Sequence, residues 1–131
     1  DGEGASKFFE THVTGARNED DARLAARAVA KSSLVKTAVY GADPNWGRIV
    51  SAAGYANVPF DPNKMTLNLN GFCLYRDGTP VKFDEIEVSN SIRAERETHI
   101  ELVFQEGSAG GRFWTTDLTP EYVRLNAEYR T

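Results

Sequence analysis

Glu3 stands between Gly2 and Gly4 in the opening "DGEG". Glycines on both sides let backbone approach a ligand closely, and a carboxylate held there can take an ammonium group. The same residues also suit a turn acid exposed to water, and their spacing leaves both uses open. A second stretch with chemical content is "GADPNWGR", residues 41–48. It brings together an acid (Asp43), an amide (Asn45), an indole (Trp46) and a guanidinium (Arg48). Arg48 falls in the first turn of a predicted helix, where the helix dipole disfavours a cation. An ion pair with Asp43 is therefore expected to offset it, with Trp46 fixing the loop by packing. His12 and His99 lie in separate strand-like segments and have no ligand spacing with cysteine, so no zinc site is predicted. Neither a G-x-S-x-G elbow nor a phosphate-cradling G-x-x-x-x-G-K-[ST] is present. "GSAGG", residues 107–111, joins two strand-like runs and reads as a hairpin tip. Residue types alone thus supply no self-contained catalytic constellation.

The elements that must position these residues are mixed in type. "KFFETHVTG" alternates Phe9, Thr11 and Val13 against Phe8, Glu10 and His12, which predicts a strand. Asn18 and the acids after it are helix-start chemistry, and Leu24, Ala25, Ala28 and Val29 form an apolar face. Arg23, Arg27 and Lys31 recur at four-residue steps as a solvated stripe. Ser32 and Ser33 are read as ending that helix, and "LVKTAVY" as a second strand. "RIVSAAGYA" is a short helix closed by Gly54. "MTLNLNGFCLYRDGTPVKF" reads as paired strands, with Asp77-Gly78 a two-residue hairpin signal. Asp84 caps a helix running to about Arg93. "THIELVFQ" alternates as a strand, "EGSAGG" turns it, and "RFWTTDL" is its return strand. Thr119 and Pro120 then start a tail helix on which Leu118, Tyr122, Leu125 and Tyr129 share one face. The sum is one α/β (α+β) layered domain over residues 1–131, with helices packed on a mixed or largely antiparallel sheet.

Composition narrows the function classes. The net charge of -4, from 19 acids and 15 bases, argues against nucleic acid as a main partner. No apolar run is long enough for a membrane span, and no charged-then-apolar leader opens the chain, so the cytoplasm is the expected compartment. One cysteine, Cys73, excludes an internal disulfide and is expected to be a small buried hydrophobe. No cofactor and no metal is implied.

Three stretches together carry a resemblance: "DGEGASK" at 1–7, "VKTAVYGADPNWGRI" at 35–49 and "DLTPEYVRLNAEYRT" at 117–131. They resemble the bifunctional ornithine acetyltransferase (glutamate N-acetyltransferase) family of arginine biosynthesis, with "GADPNWGR" the most specific piece. Members of that family cleave themselves into an α and a β chain and expose a threonine nucleophile at the β-chain amino terminus. They move acetyl from N-acetylornithine to glutamate through an acetyl-threonine, with upstream threonines as oxyanion hole. The resemblance implies that this chain is the carboxyl-terminal part of the β chain. It begins with Asp1 and holds no Gly-Thr-Met junction, so the catalytic residues are expected outside it and the chain alone is expected to be inactive. By the same resemblance Glu3, Asn126 and Thr131 are substrate-binding positions, while Asp43, Asn45, Trp46 and Arg48 form a structural loop. Ser6 stands where the family more often has threonine. The implied partners are the α chain and the rest of the β chain, assembled as two α and two β chains, with N-acetylornithine and glutamate as substrates.

Two other uses fit the same residues. One is an acyltransferase of the same fold with another acceptor, in secondary metabolism. The other is a non-catalytic binding domain, supported by the missing nucleophile.

Overall fold

The computed structural model describes residues 7–118, and the calls that fall on Glu3, Asn126 and Thr131 lie outside the described residues. Strand β1 (Lys7–Ala16) follows its sequence alternation, with Phe9, Thr11 and Val13 wholly buried on one face. Asn18 caps helix α1 (Glu19–Ala30): its side chain accepts from the Asp21 amide at 2.8 Å, and three acids occupy the first turn. The buried face of α1 is Ala22, Ala25, Ala26, Val29 and Ala30; of the predicted Leu24–Ala25–Ala28–Val29 set, Ala25 and Val29 are buried, while Leu24 is 46 % exposed. Close approach explains the difference. A Cβ added at Gly111 on the sheet would lie 2.9 Å from the Arg23 amide and 3.2 Å from Ala22 Cβ, so this contact admits alanine and excludes leucine.

"LVKTAVY" is not a strand. It forms helix α2 (Ser33–Tyr40), and Ser32, read as a stop, is instead its cap, accepting from the Val35 amide at 3.2 Å. Val35, Ala38 and Val39 bury at helical spacing. β-Branched residues cost only a few tenths of a kcal/mol each in a helix, whereas burying each valine contributes about 1.5 kcal/mol or more, so packing wins. Helix α3 (Trp46–Gly54) follows directly, with Ile49, Ala52 and Ala53 buried.

After a single 3-10 turn at Pro62–Lys64, strands β2 (Thr66–Leu69), β3 (Phe72–Arg76) and β4 (Thr79–Pro80) form an antiparallel meander. Its turns, Asn70-Gly71 and Asp77-Gly78, hold φ of 50° and 86°, and of 50° and 79°: both residues left-handed, as a two-residue hairpin requires. Cys73 on β3 is half-buried rather than buried. Asp84 caps helix α4 (Glu85–Ala94), which buries Val88 and Ile92 and leaves Ile86 exposed. Strands β5 (Glu97–Val103) and β6 (Ala109–Leu118) complete the described chain.

The sheet order is β4-β3-β2-β5-β1-β6. Only β1 and β5 pair in parallel among the described strands, so the sheet is mixed and largely antiparallel, as expected. The predicted hairpin of β5 with β6 does not form, because β1 lies between them. The connection crosses the end of β1 instead. Phe104 donates its amide to the Thr14 carbonyl at 2.8 Å, and Glu106 and Gly107 donate theirs to Gly15 at 2.9 and 3.0 Å. Residues of all four helices join Phe9, Val13, Leu67, Leu69, Ile100 and Leu102 in one core on one side of the sheet. The opposite side carries Glu10, His99, Glu101, Arg112 and Trp114.

Candidate functional site

The loop between α2 and α3 is built by the end of one helix and the start of the next. Gly41, Ala42 and Asp43 donate their amides back to Thr37, Val39 and Ala38, at 3.0, 3.0 and 2.8 Å, with Ala42 at a φ of 55°. Pro44 is buried and ends the turn. Asn45 then caps α3: its Oδ1 accepts from the Arg48 amide at 3.1 Å while its Nδ2 donates to Asp43 Oδ2 at 3.2 Å. Trp46 packs on Tyr75 of β3 with ring centroids 5.5 Å apart. The expected packing role of Trp46 therefore holds.

The expected Asp43–Arg48 ion pair does not. Asn45 takes up the Asp43 carboxylate, and Arg48 reaches the other way, donating from Nη1 to the Leu34 carbonyl at 3.2 Å. That carbonyl lies on α2, so Arg48 ties α3 to α2 across the loop. The loop is a ridge between two open grooves. One lies between Asp43–Gly47 and the Val81–Glu85 segment, and the other runs past Lys31, Ser32, Arg48, Ser51 and Tyr55. Asp43 thus faces the first groove and Arg48 the second.

A second group of charges lies on the side of the sheet away from the helices. Glu10 accepts from Arg112 Nη1 at 2.6 Å through Oε2, and its Oε1 is 3.1 Å from His99 Nδ1. Glu97 Oε2 is 3.7 Å from the same ring nitrogen. The Glu10 side chain is only 8 % exposed. Burial pushes its carboxyl up, but the hydrogen bonds and charges of Arg112 and His99 outweigh that and hold it below the usual carboxylate value. At the start of β1, Lys7 donates to the carbonyls of Ile92 and Glu95, closing the end of α4, and burial, with Arg93 nearby, lowers its ammonium below the ordinary lysine value.

Sequence reading placed His99 and Glu10 on strands but did not bring them together. Glu10 and His99 are register partners on parallel strands, and Arg112 comes from β6 on the other side of β1. Only the strand order joins them, and no local signal in the chain announces it. His12 stands one step along β1, opposite Glu101 and Arg112, and takes no part in the group.

A mixed sheet with four helices packed on it makes this an α+β domain. The chain belongs to the ArgJ family, whose model matches residues 1–131. It is 47 % identical to the arginine biosynthesis bifunctional protein ArgJ of Rhodopirellula baltica over all 131 residues, which is 32 % of that protein. It is 49 % identical to the chloroplastic ArgJ of Citrullus lanatus, again over the whole of this chain and 29 % of that protein. The crystal structure of ArgJ from Bacillus halodurans superposes on 98 % of this chain and 60 % of its own, at a TM-score of 0.87 and 38 % identity. The chain therefore spans about a third of the length of the curated relatives it matches. No helix among the described residues is long and apolar enough to cross a membrane.

Proposed function

We propose that this chain is the carboxyl-terminal part of the β chain of a bifunctional ornithine acetyltransferase, which moves acetyl from N-acetylornithine to glutamate. The observation that carries the reading is the ArgJ family match along the whole chain, with relatives near half-identical named for arginine biosynthesis. In this reading the reacting groups lie outside these residues. A threonine hydroxyl attacks the acetyl carbonyl, an α-amine with a pKa of about 7.7 to 8 takes its proton, and ornithine leaves. Glutamate's amine then attacks the acetyl-threonine and regenerates the hydroxyl. Upstream threonines stabilise the oxyanion of both tetrahedral intermediates.

This chain's share is to bind and orient. Glu3 offers a carboxylate to a substrate ammonium, Asn126 an amide with both donors and acceptor, and Thr131 a hydroxyl. The loop at Asp43, Asn45, Trp46 and Arg48 supports the reading as a rigid brace between α2 and α3. The partners are the α chain and the remainder of the β chain, in an assembly of two of each, in the cytoplasm.

Two variants of the full-length protein test this. Deleting residues 126–131 is expected to reduce acetyl transfer from N-acetylornithine to glutamate at least a hundredfold while self-cleavage continues. Turnover equal to the parent's would remove the tail from the site. Glu3→Gln is expected to weaken N-acetylornithine binding by about 1 to 3 kcal/mol, the scale of a lost charged hydrogen bond. A Michaelis constant within twofold of the parent would exclude Glu3 as an ammonium ligand. Acetyl transfer to other amino acids in preference to glutamate would reassign the acceptor.

A further inference from the structure

Glu10, Glu97 and His99 each offer one ligand atom, and the three atoms lie within 4.8 Å of one another. We propose that they form a site for a divalent transition-metal ion of the zinc class, independent of the acetyl-transfer reading. The donors are one imidazole nitrogen (His99 Nδ1) and two carboxylate oxygens (Glu10 Oε1 and Glu97 Oε2). Zinc takes that donor set at about 2.0 to 2.2 Å, which separates tetrahedral ligand atoms by about 3.3 to 3.6 Å. The observed 3.1 and 3.7 Å from Nδ1 to the two oxygens bracket that spacing. Three protein ligands leave a fourth position open to water or another small ligand.

The framework is rigid and already oriented. Glu10 and His99 are direct register partners on the parallel strands β1 and β5, and Glu97 lies two residues from His99 on the same side of β5. Arg112 holds Glu10 by its other oxygen, Oε2, at 2.6 Å. Arg112 thus occupies the place of the outer-shell donor that fixes a ligating carboxylate, and Oε1, now paired with His99 Nδ1 at 3.1 Å, is the oxygen that an ion between the two would take up. The charges also suit a cation. Arg112 balances one of the two carboxylates, and the other remains for the ion. The Glu10 side chain is 8 % exposed, so its charge is already withdrawn from water, while His99, at 58 %, leaves the site open to solvent and to entering metal.

The full-length protein, stripped with a chelator, is titrated with zinc chloride alone by calorimetry and by competition against a chromophoric chelator. Parent, His99→Ala, Glu97→Gln and the control His12→Ala are compared. One site of micromolar or tighter affinity is expected in the parent and in His12→Ala, weakened at least tenfold in each of the other two. Glu97→Gln keeps the side-chain shape on a half-exposed position, so its result stands even if His99→Ala unfolds. Equal zinc affinity in all four proteins, or no binding by the parent below about 1 mM, would overturn the proposal.

Discussion

Removing the guanidinium from Arg112 should expose how much the Glu10 charge depends on it. In Arg112→Met the buried carboxylate keeps His99 as a partner and loses its 2.6 Å donor. A fully exposed pair is worth about 0.2 to 1 kcal/mol, and breaking a fully buried one costs about 3 to 5. This pair lies between the two, because the Glu10 side chain is 8 % exposed and the Arg112 side chain 50 %. Solvent screens the guanidinium half of the interaction, so about 2 kcal/mol is expected at neutral pH. The sign of its pH dependence follows from Glu10. Its folded carboxyl is held below the usual value, so the stabilisation is present above the unfolded carboxylate range and lost as pH falls through the folded value. Without Arg112, burial is opposed only by His99 and the carboxyl rises. The variant's deficit should therefore be largest near pH 7 and shrink in acid, as pH falls through the folded Glu10 value. Amide exchange in β1 and β5 of the full-length protein, at neutral and at acid pH, reads the loss where it arises. A deficit under 0.5 kcal/mol at pH 7, or one that persists undiminished in acid, would refute the reasoning.

Two substitutions test the packing. Gly15→Ala should destabilise by about 3 kcal/mol or more, since Gly15 holds a φ of 74° and an added Cβ would lie 1.9 Å from the Phe104 carbonyl oxygen. Urea unfolding of the variant within 1 kcal/mol of the parent would contradict the crossing drawn here. Thr11→Val and Thr98→Val should each stabilise by up to about 1 kcal/mol, because both threonines are wholly buried and neither hydroxyl has a hydrogen-bond partner among the described residues. A loss above 1 kcal/mol in either would mean that its hydroxyl is satisfied in the native protein.

What was legible in the sequence follows from the range over which each feature is decided. Helix caps are local: Asn18 and Asp84 each bond an amide three residues on, as their sequences signal. The Asp77-Gly78 turn is equally local, set by two left-handed residues in succession. Ser32 was as local a signal, but a serine suits both a helix end and a helix start. The choice fell to Val35, Ala38 and Val39, whose spacing of i, i+3 and i+4 brings all three to one buried face only in a helix. Strand neighbours are decided farther away. Phe104–Gly107 looked like the approach to a hairpin because β5 and β6 follow one another in sequence. Gly15, some ninety residues earlier, accepts the loop's amides and sends β6 to the far side of β1. The same insertion of β1 makes the Glu10 group. Had β5 and β6 paired directly, Glu10 would not have stood between His99 and Arg112. With β1 between them, Glu10 separates the two and binds both. The site that sequence could not show and the topology that sequence misread are therefore one fact. A variant that disturbs the crossing at Gly15 should disturb His99 and Arg112 with it.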